Sequence, residues 1–145
     1  MHRRWLIGVV ALMVMAWTSG CASKRVIPTW DPAAFRELGT LEFLTVGPEE
    51  GPHWSTVWLV VVDDQVFIRL GSRAADRMQK NTTAPEVAVR IGGKEYEHVR
   101  AEEAAGMAER VAAAMGEKYT SDLFIHYFPH PLTMRLTPPA GTGQP

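Results

Sequence analysis

The stretch TVWLVVVDDQVFIRL, Thr56 to Leu70, leaves little choice of structure. Val57 to Val62 is an unbroken apolar run rich in β-branched residues, which predicts a strand covered on both faces. Asp63-Asp64 then supplies a tight turn. Beyond it Val66, Ile68 and Leu70 share one face, while Phe67 and Arg69 take the other. The pattern predicts a β-hairpin, and the rest of the chain has to be arranged around it.

Other elements follow on either side. DPAAFRELG predicts a compact helix, with Asp31 as N-cap, Pro32 in its first turn and Gly39 as terminator. TLEFLTV alternates and predicts a strand; GPEEGPH, with two Gly-Pro steps, predicts a loop. Ser72 to Lys80 predicts a short helix broken by NTTAP. EVAVRI predicts a strand, Gly92-Gly93 a second hairpin turn, and the more polar KEYEHVR an edge strand. AEEAAGMAERVAAAMGEKY has the composition of a helix, with Met107, Val111 and Met115 at helical spacing. TSDLFIHYFPHP is irregular, LTMRLTP predicts a last strand, and PAGTGQP a disordered tail. About six short strands with helices at the margins predict an α+β, mainly β fold: a small antiparallel barrel, whose closure removes exposed edges.

The first twenty residues stand apart. MHRR is basic, and Trp5 to Trp17 is an uncharged apolar run shorter than the roughly 20 residues of a membrane span. TSGC then leads to the chain's single cysteine. The segment resembles a bacterial lipoprotein signal peptide, with Cys21 as the lipidated first residue of the mature chain. The resulting domain plan is signal peptide 1–20, tether 21–30, barrel 31–138 and disordered tail 139–145. It implies a protein lipid-anchored in the bacterial cell envelope and facing the periplasm. Ala22 and Ser23 do not resemble the inner-membrane retention signal of lipoproteins. One cysteine rules out an internal disulfide framework. The formal charge of −1 argues against nucleic acid, and an acidic body leaves membrane attachment to the acyl chains.

The corner LGSRAADRMQK, Leu70 to Lys80, carries the main candidate site. Gly71 lets the backbone leave the strand sharply. Ser72 is expected as N-cap, and exposed amides at a helix start favour an anion. Arg73 and Arg77 are four apart and share a helix face, and Arg69 lies just before them on the strand. Three guanidiniums and a hydroxyl suit a phosphate monoester, since arginine offers a planar fork of donors and stays charged. The same residues also suit a solvated helix face with ordinary ion pairs.

At a wider scale, Leu41 to Pro138 resembles the pyridoxamine-5'-phosphate-oxidase-like split β-barrel family. The resemblance rests on the hairpin, then Ser72, Arg73, Ala74, Met78 and Asn81, then Pro85 with EVAV, and finally Lys118-Tyr119 and MRLTP. It implies FMN, or a deazaflavin, with Ser72, Arg73 and Arg77 on the phosphate and Arg69 and Thr56 assisting. The ring would lie along Thr56, Val57 and Trp58, with Trp58 walling it. It also implies a homodimer with the cofactor at the interface. Two departures stand out. Ala74 occupies a position where the family often has a phosphate-binding lysine, and Thr82-Thr83-Ala84 looks inserted before Pro85.

His126 and His130 have metal-like spacing, but Pro129 opposes the helix they would need to share a face. His53 beside Trp54 reads as a loop histidine, and Trp30 and Trp54 as core or rim. No Ser-His-Asp order, paired carboxylates or cysteine nucleophile suggests protein-borne catalysis, so any redox chemistry belongs to a cofactor. Three readings remain open on sequence. The first is a flavin-dependent oxidoreductase acting on a small organic acceptor. The second is a non-catalytic envelope protein binding haem, flavin or a hydrophobic ligand. The third is a structural lipoprotein without a cofactor.

Overall fold

The central hairpin forms where the alternation places it, and its turn explains how it closes. In the computed structural model, which describes residues 27–119 and 132–142, strand β2 (Gly51–Val62) pairs with β3 (Gln65–Leu70) across Asp63 and Asp64. Both aspartates have positive φ, 50° and 57°, the geometry of a two-residue turn whose twist matches that of the strands. The segment read as a signal peptide, Cys21, His126 and His130 lie outside the described residues.

Strand β1 (Thr40–Gly47) pairs with β2 along its whole length, from Thr40 opposite Trp58 to Gly47 opposite Gly51. The loop expected over residues 47 to 53 is therefore shorter: Gly51, Pro52 and His53 already belong to β2. Strands β4 (Glu86–Ile91), β5 (Lys94–Glu103) and β6 (Leu132–Thr137) complete a closed barrel in the order β1-β2-β3-β6-β5-β4, with every pair antiparallel. Strand β6 pairs with β5 only from Arg100 to Glu103, so among the described residues the polar stretch Lys94 to Val99 pairs with β4 alone and keeps an open edge, while the strand's second half is enclosed. Strand β5 also runs through Ala101, Glu102 and Glu103, where composition predicts helix. Ala101 faces the interior opposite Leu136, and strand pairing overrides the helix propensity of an Ala-Glu segment.

One face of each strand fills the interior. Leu41 and Phe43, then Leu59, then Val66, Ile68 and Leu70 join Val87, Val89, Val99 and Leu136 in a single buried cluster. Three helices complete it. Helix α1 (Pro32–Phe35) is capped by Asp31, whose carboxylate accepts from the Ala33 and Ala34 amides. It stops well before Gly39. Phe35 and Trp30 pack edge to face on Tyr96 at the pole where β1 begins. Helix α2 (Ser72–Gln79) closes the opposite pole with Ala75 and Met78. Helix α3 (Ala108–Lys118) follows a 3-10 turn at Ala105–Met107 and lies on the outside. Its Val111 and Met115 cover Val60 and Phe67 in a second cluster. Strand β2 is thus apolar on both faces because one meets the barrel interior and the other meets α3.

Candidate functional site

Strand β2 changes partners halfway. From Gly51 to Trp58 it pairs only with β1, and from Leu59 to Val62 it pairs with β3. Among the described residues its first half therefore has one edge with no strand beside it, and on that side β3 runs into Gly71 and helix α2. Unpaired N–H and C=O groups along such an edge are ready to receive a ligand or another strand.

The expected site residues fall on the two sides of this split. Thr56 is exposed on the outer face of β2, and Trp58 is half-buried on the same face. Val57 packs its side chain against the core, so only its backbone can serve the split. The Trp58 indole stacks on Tyr119, with ring centroids 4.6 Å apart and planes 13° from parallel. On the other side Arg69 leaves β3 outward, opposite Thr133. Ser72 and Arg73 are exposed at the start of α2.

The N-cap of α2 is Gly71, not Ser72, and no side chain caps the helix. Gly71 already has the extended conformation of a cap, so Ser72 begins the helix proper. The first amides of α2 consequently lack a side-chain acceptor. Among the described residues the Arg69 and Arg73 side chains make no hydrogen bond or ion pair. Uncommitted amides and two uncommitted guanidiniums at one strand-to-helix corner fit an anionic group such as a phosphate.

Arg77 is differently employed. Its Nε lies 3.1 and 2.9 Å from the two Glu50 carboxylate oxygens, and its terminal nitrogen 2.8 Å from one of them. Glu50 belongs to the turn between β1 and β2 and also lies 3.5 Å from His53. The Arg77 hydrogen bonds hold the Glu50 carboxyl below its usual range. Arg69, Ser72 and Arg73 thus lie along one strand-to-helix junction, Thr56 to Trp58 lie on the neighbouring strand, and Arg77 is turned toward the β1–β2 turn. The sequence carries no local sign of the Arg77 partner, which lies 27 positions away.

Lys118 and Tyr119 have a role that spacing alone does not disclose. The Lys118 ammonium donates to the carbonyls of Leu38, at 2.6 Å, and Leu59, at 3.3 Å. The Tyr119 hydroxyl lies 2.6 Å from the carbonyl oxygens of both Gly39 and Leu59, and donates its one proton to either. Burial pushes the Lys118 ammonium pKa down and the Tyr119 hydroxyl up. Together they pin the residue at which β2 leaves β1 for β3, and so fix the mouth of the split. Among the described residues no cluster of three metal-ligating side chains occurs, and no helix is long and apolar enough to cross a membrane.

No family model matches the sequence, and no curated protein matches it. Solved structures do. HutZ, the haem storage protein from Vibrio cholerae, superposes with a TM-score of 0.56 at 19% identity, over 75% of this chain and 88% of that one. A conserved hypothetical protein from Mycobacterium tuberculosis gives a TM-score of 0.54 at 19% identity, over 73% of this chain and 77% of that one. At such identities the likeness is one of fold. The chain has the six-stranded split β-barrel fold that its resemblance to the pyridoxamine-phosphate-oxidase-like proteins implies.

Proposed function

We propose that the chain is an exported, lipid-anchored split barrel that holds FMN or a deazaflavin at the corner between β2 and α2 and serves a small organic acceptor. The observation that carries this reading is the pairing of an uncapped α2 start with two uncommitted guanidiniums, Arg69 and Arg73. The first α2 amides, the Ser72 hydroxyl and Arg73 would take the phosphate, with Arg69 supporting it. Thr56 and the open edge of β2 would meet the ring, and Trp58, stiffened by its stack on Tyr119, would wall it. A bound flavin supplies hydride or electron transfer; the protein supplies position, charge and exclusion of water. No side chain here is assigned as acid or base.

The test is a titration of FMN into the chain beginning at Ala22, followed by quenching of flavin fluorescence. Saturable quenching is expected, and Arg69→Ala and Arg73→Ala should each weaken binding by about tenfold, as for the loss of a charge-assisted hydrogen bond. Absence of saturable binding overturns the flavin reading.

A second reading has its own support: a barrel that binds haem or another apolar ligand without turnover. Ala74 and the commitment of Arg77 to Glu50 both remove cations from the phosphate corner. HutZ, a haem storage protein, shares the fold. A Soret band on adding haemin, with no response to FMN, would favour this reading. A protein that takes up neither is a structural lipoprotein.

A further inference from the structure

The two ends of the described chain meet at one pole of the barrel. Strand β1 starts there, β6 ends there, and the turn at Gly92-Gly93 closes there. A cleft of about 530 Å³ opens at this pole. Ile27, Pro28, Tyr96, His98, Pro139 and Ala140 line it. Its walls are largely apolar, and the polar groups around it are mostly committed. The Tyr96 hydroxyl donates to the Thr29 carbonyl, His98 Nδ1 is 2.7 Å from Glu86, and Glu95 accepts from Arg90 at 2.9 Å. Ile27 stands 69% exposed at the rim, the one exposed large hydrophobic side chain among the described residues.

A single exposed aliphatic side chain marks nothing by itself, but Ile27 lines the cleft and extends its apolar wall to the rim as one continuous surface. The sequence says what lies next to it. Cys21, the residue read as acylated, is six positions before Ile27, so even a fully extended chain places this pole within about 20 Å of its anchor. Helix α2 and the split lie at the other pole.

We propose that the cleft pole is a membrane-docking surface, on which Ile27 enters the headgroup–acyl boundary and the cleft seats an acyl chain of the bilayer that anchors the protein. The proposal rests on acylation of Cys21. It fixes the orientation of the molecule, with the chain ends against the membrane and the α2 corner directed away from it, open to soluble ligands. The cleft lining includes Glu95 and Glu97 and no lysine or arginine, so the matching surface is zwitterionic phosphatidylcholine-like lipid rather than anionic lipid.

The experiment uses the full acylated chain in phosphatidylcholine vesicles. Cys21 is the only cysteine and is consumed by acylation, so an introduced thiol is unique. Ala140→Cys at the cleft and Glu49→Cys at the opposite pole are each given a nitroxide, and collisions with oxygen and with a water-soluble nickel chelate are read. The expected result is that the label at 140 gains oxygen collisions and loses chelate collisions relative to the label at 49. Ile27→Ser should shift the 140 label back toward the aqueous value while the protein still floats with vesicles. Equally aqueous labels in floating, acylated protein overturn the docking and leave the anchor standing. A chain that is neither acylated nor floats overturns both.

Discussion

Asn81 shows how much one side chain can hold. It is 6% exposed, and its carbonyl oxygen accepts from the Val46 amide at 2.9 Å and from the Thr83 hydroxyl at 3.0 Å. Its amide nitrogen donates to the Glu86 carbonyl at 3.1 Å. One residue thereby ties the end of α2 to the last turn of β1 and the first of β4, the three elements around the upper pole. Asn81→Ala would strip partners from backbone groups on two strands at once. At about 1 kcal/mol for each hydrogen bond, and more for a group left buried and unpaired, the expected loss is about 2–3 kcal/mol of stability. Urea unfolding followed by tryptophan fluorescence measures it, and an unchanged midpoint would show that water replaces the side chain without penalty. In the sequence Asn81 is visible only as the residue that ends a helix. Thr83 and Glu86 follow within five positions, but Val46 lies 35 positions away and leaves no local trace.

At the scale of elements, the clearest sequence signals are those where periodicity and burial agree. The hairpin from Thr56 to Leu70 is legible because an unbroken apolar run, a two-aspartate turn and an alternating run follow one another. Helix α2 is legible from Gly71 and its apolar Ala75 and Met78. The failures occur where propensity and pairing oppose each other, as at Ala101 to Glu103, and where a loop rich in Gly-Pro proves to be the start of β2. The candidate corner is half legible. Arg69, Ser72 and Arg73 are where the spacing puts them, while Arg77 is drawn off by Glu50 through an ion pair that only the folded β1–β2 turn creates.

That pair yields a test at the same scale. Glu50→Gln removes the negative charge holding Arg77 and frees its guanidinium for the α2 face. On the flavin reading FMN affinity should rise by about threefold to tenfold, the value of one further charged contact. The Glu50 carboxyl is held below its ordinary 4.5, so its contribution to stability is present above that value and is lost as pH falls through the lower folded pKa. Glu50→Gln should flatten this acid limb.

The β4–β5 pair behaves oppositely with pH. His98 has φ of 56° beside a register shift between Val87 and Val89, and its ring meets Glu86 at 2.7 Å. The Glu86 hydrogen bond and charge raise the His98 pKa above 6.5, with Glu97 adding to the effect. The histidine's contribution to stability is therefore present below about 6.5 and is lost as pH rises through the raised folded value. Thermal unfolding should show a slightly lower midpoint on the alkaline side of that value, and His98→Gly should abolish the difference. Glycine suits a positive φ, so the substitution should not cost stability through the backbone. A pH response that persists in the glycine variant would place its origin elsewhere.

The molecule as a whole is a tube with two unlike ends. β1, eight residues long, sets a height of about 25 Å. One end is closed by the helix that carries the candidate corner, the other by the segment leading into α1. Trp30 is the main part of that second plug: it is 1% exposed and packs edge to face against both Phe35 and Tyr96, with centroids 5.1 and 5.0 Å away. It closes the stretch that reads as a tether, and the reading of this tryptophan as core or rim holds: it is core, so the folded unit begins before residue 31. A barrel closed by strand pairing around its wall still needs its ends filled, or water reaches Ile91, Leu41 and their neighbours from below. Trp30→Ala should therefore cost about 3–5 kcal/mol, as for other fully buried aromatic side chains. Truncation to Asp31 should cost at least as much, whereas truncation to Ile27 should leave the unfolding midpoint unchanged. The contrast between those two truncations, four residues apart, locates where the fold begins; equal midpoints would mean that the pole is sealed by α1 alone and that Trp30 is dispensable.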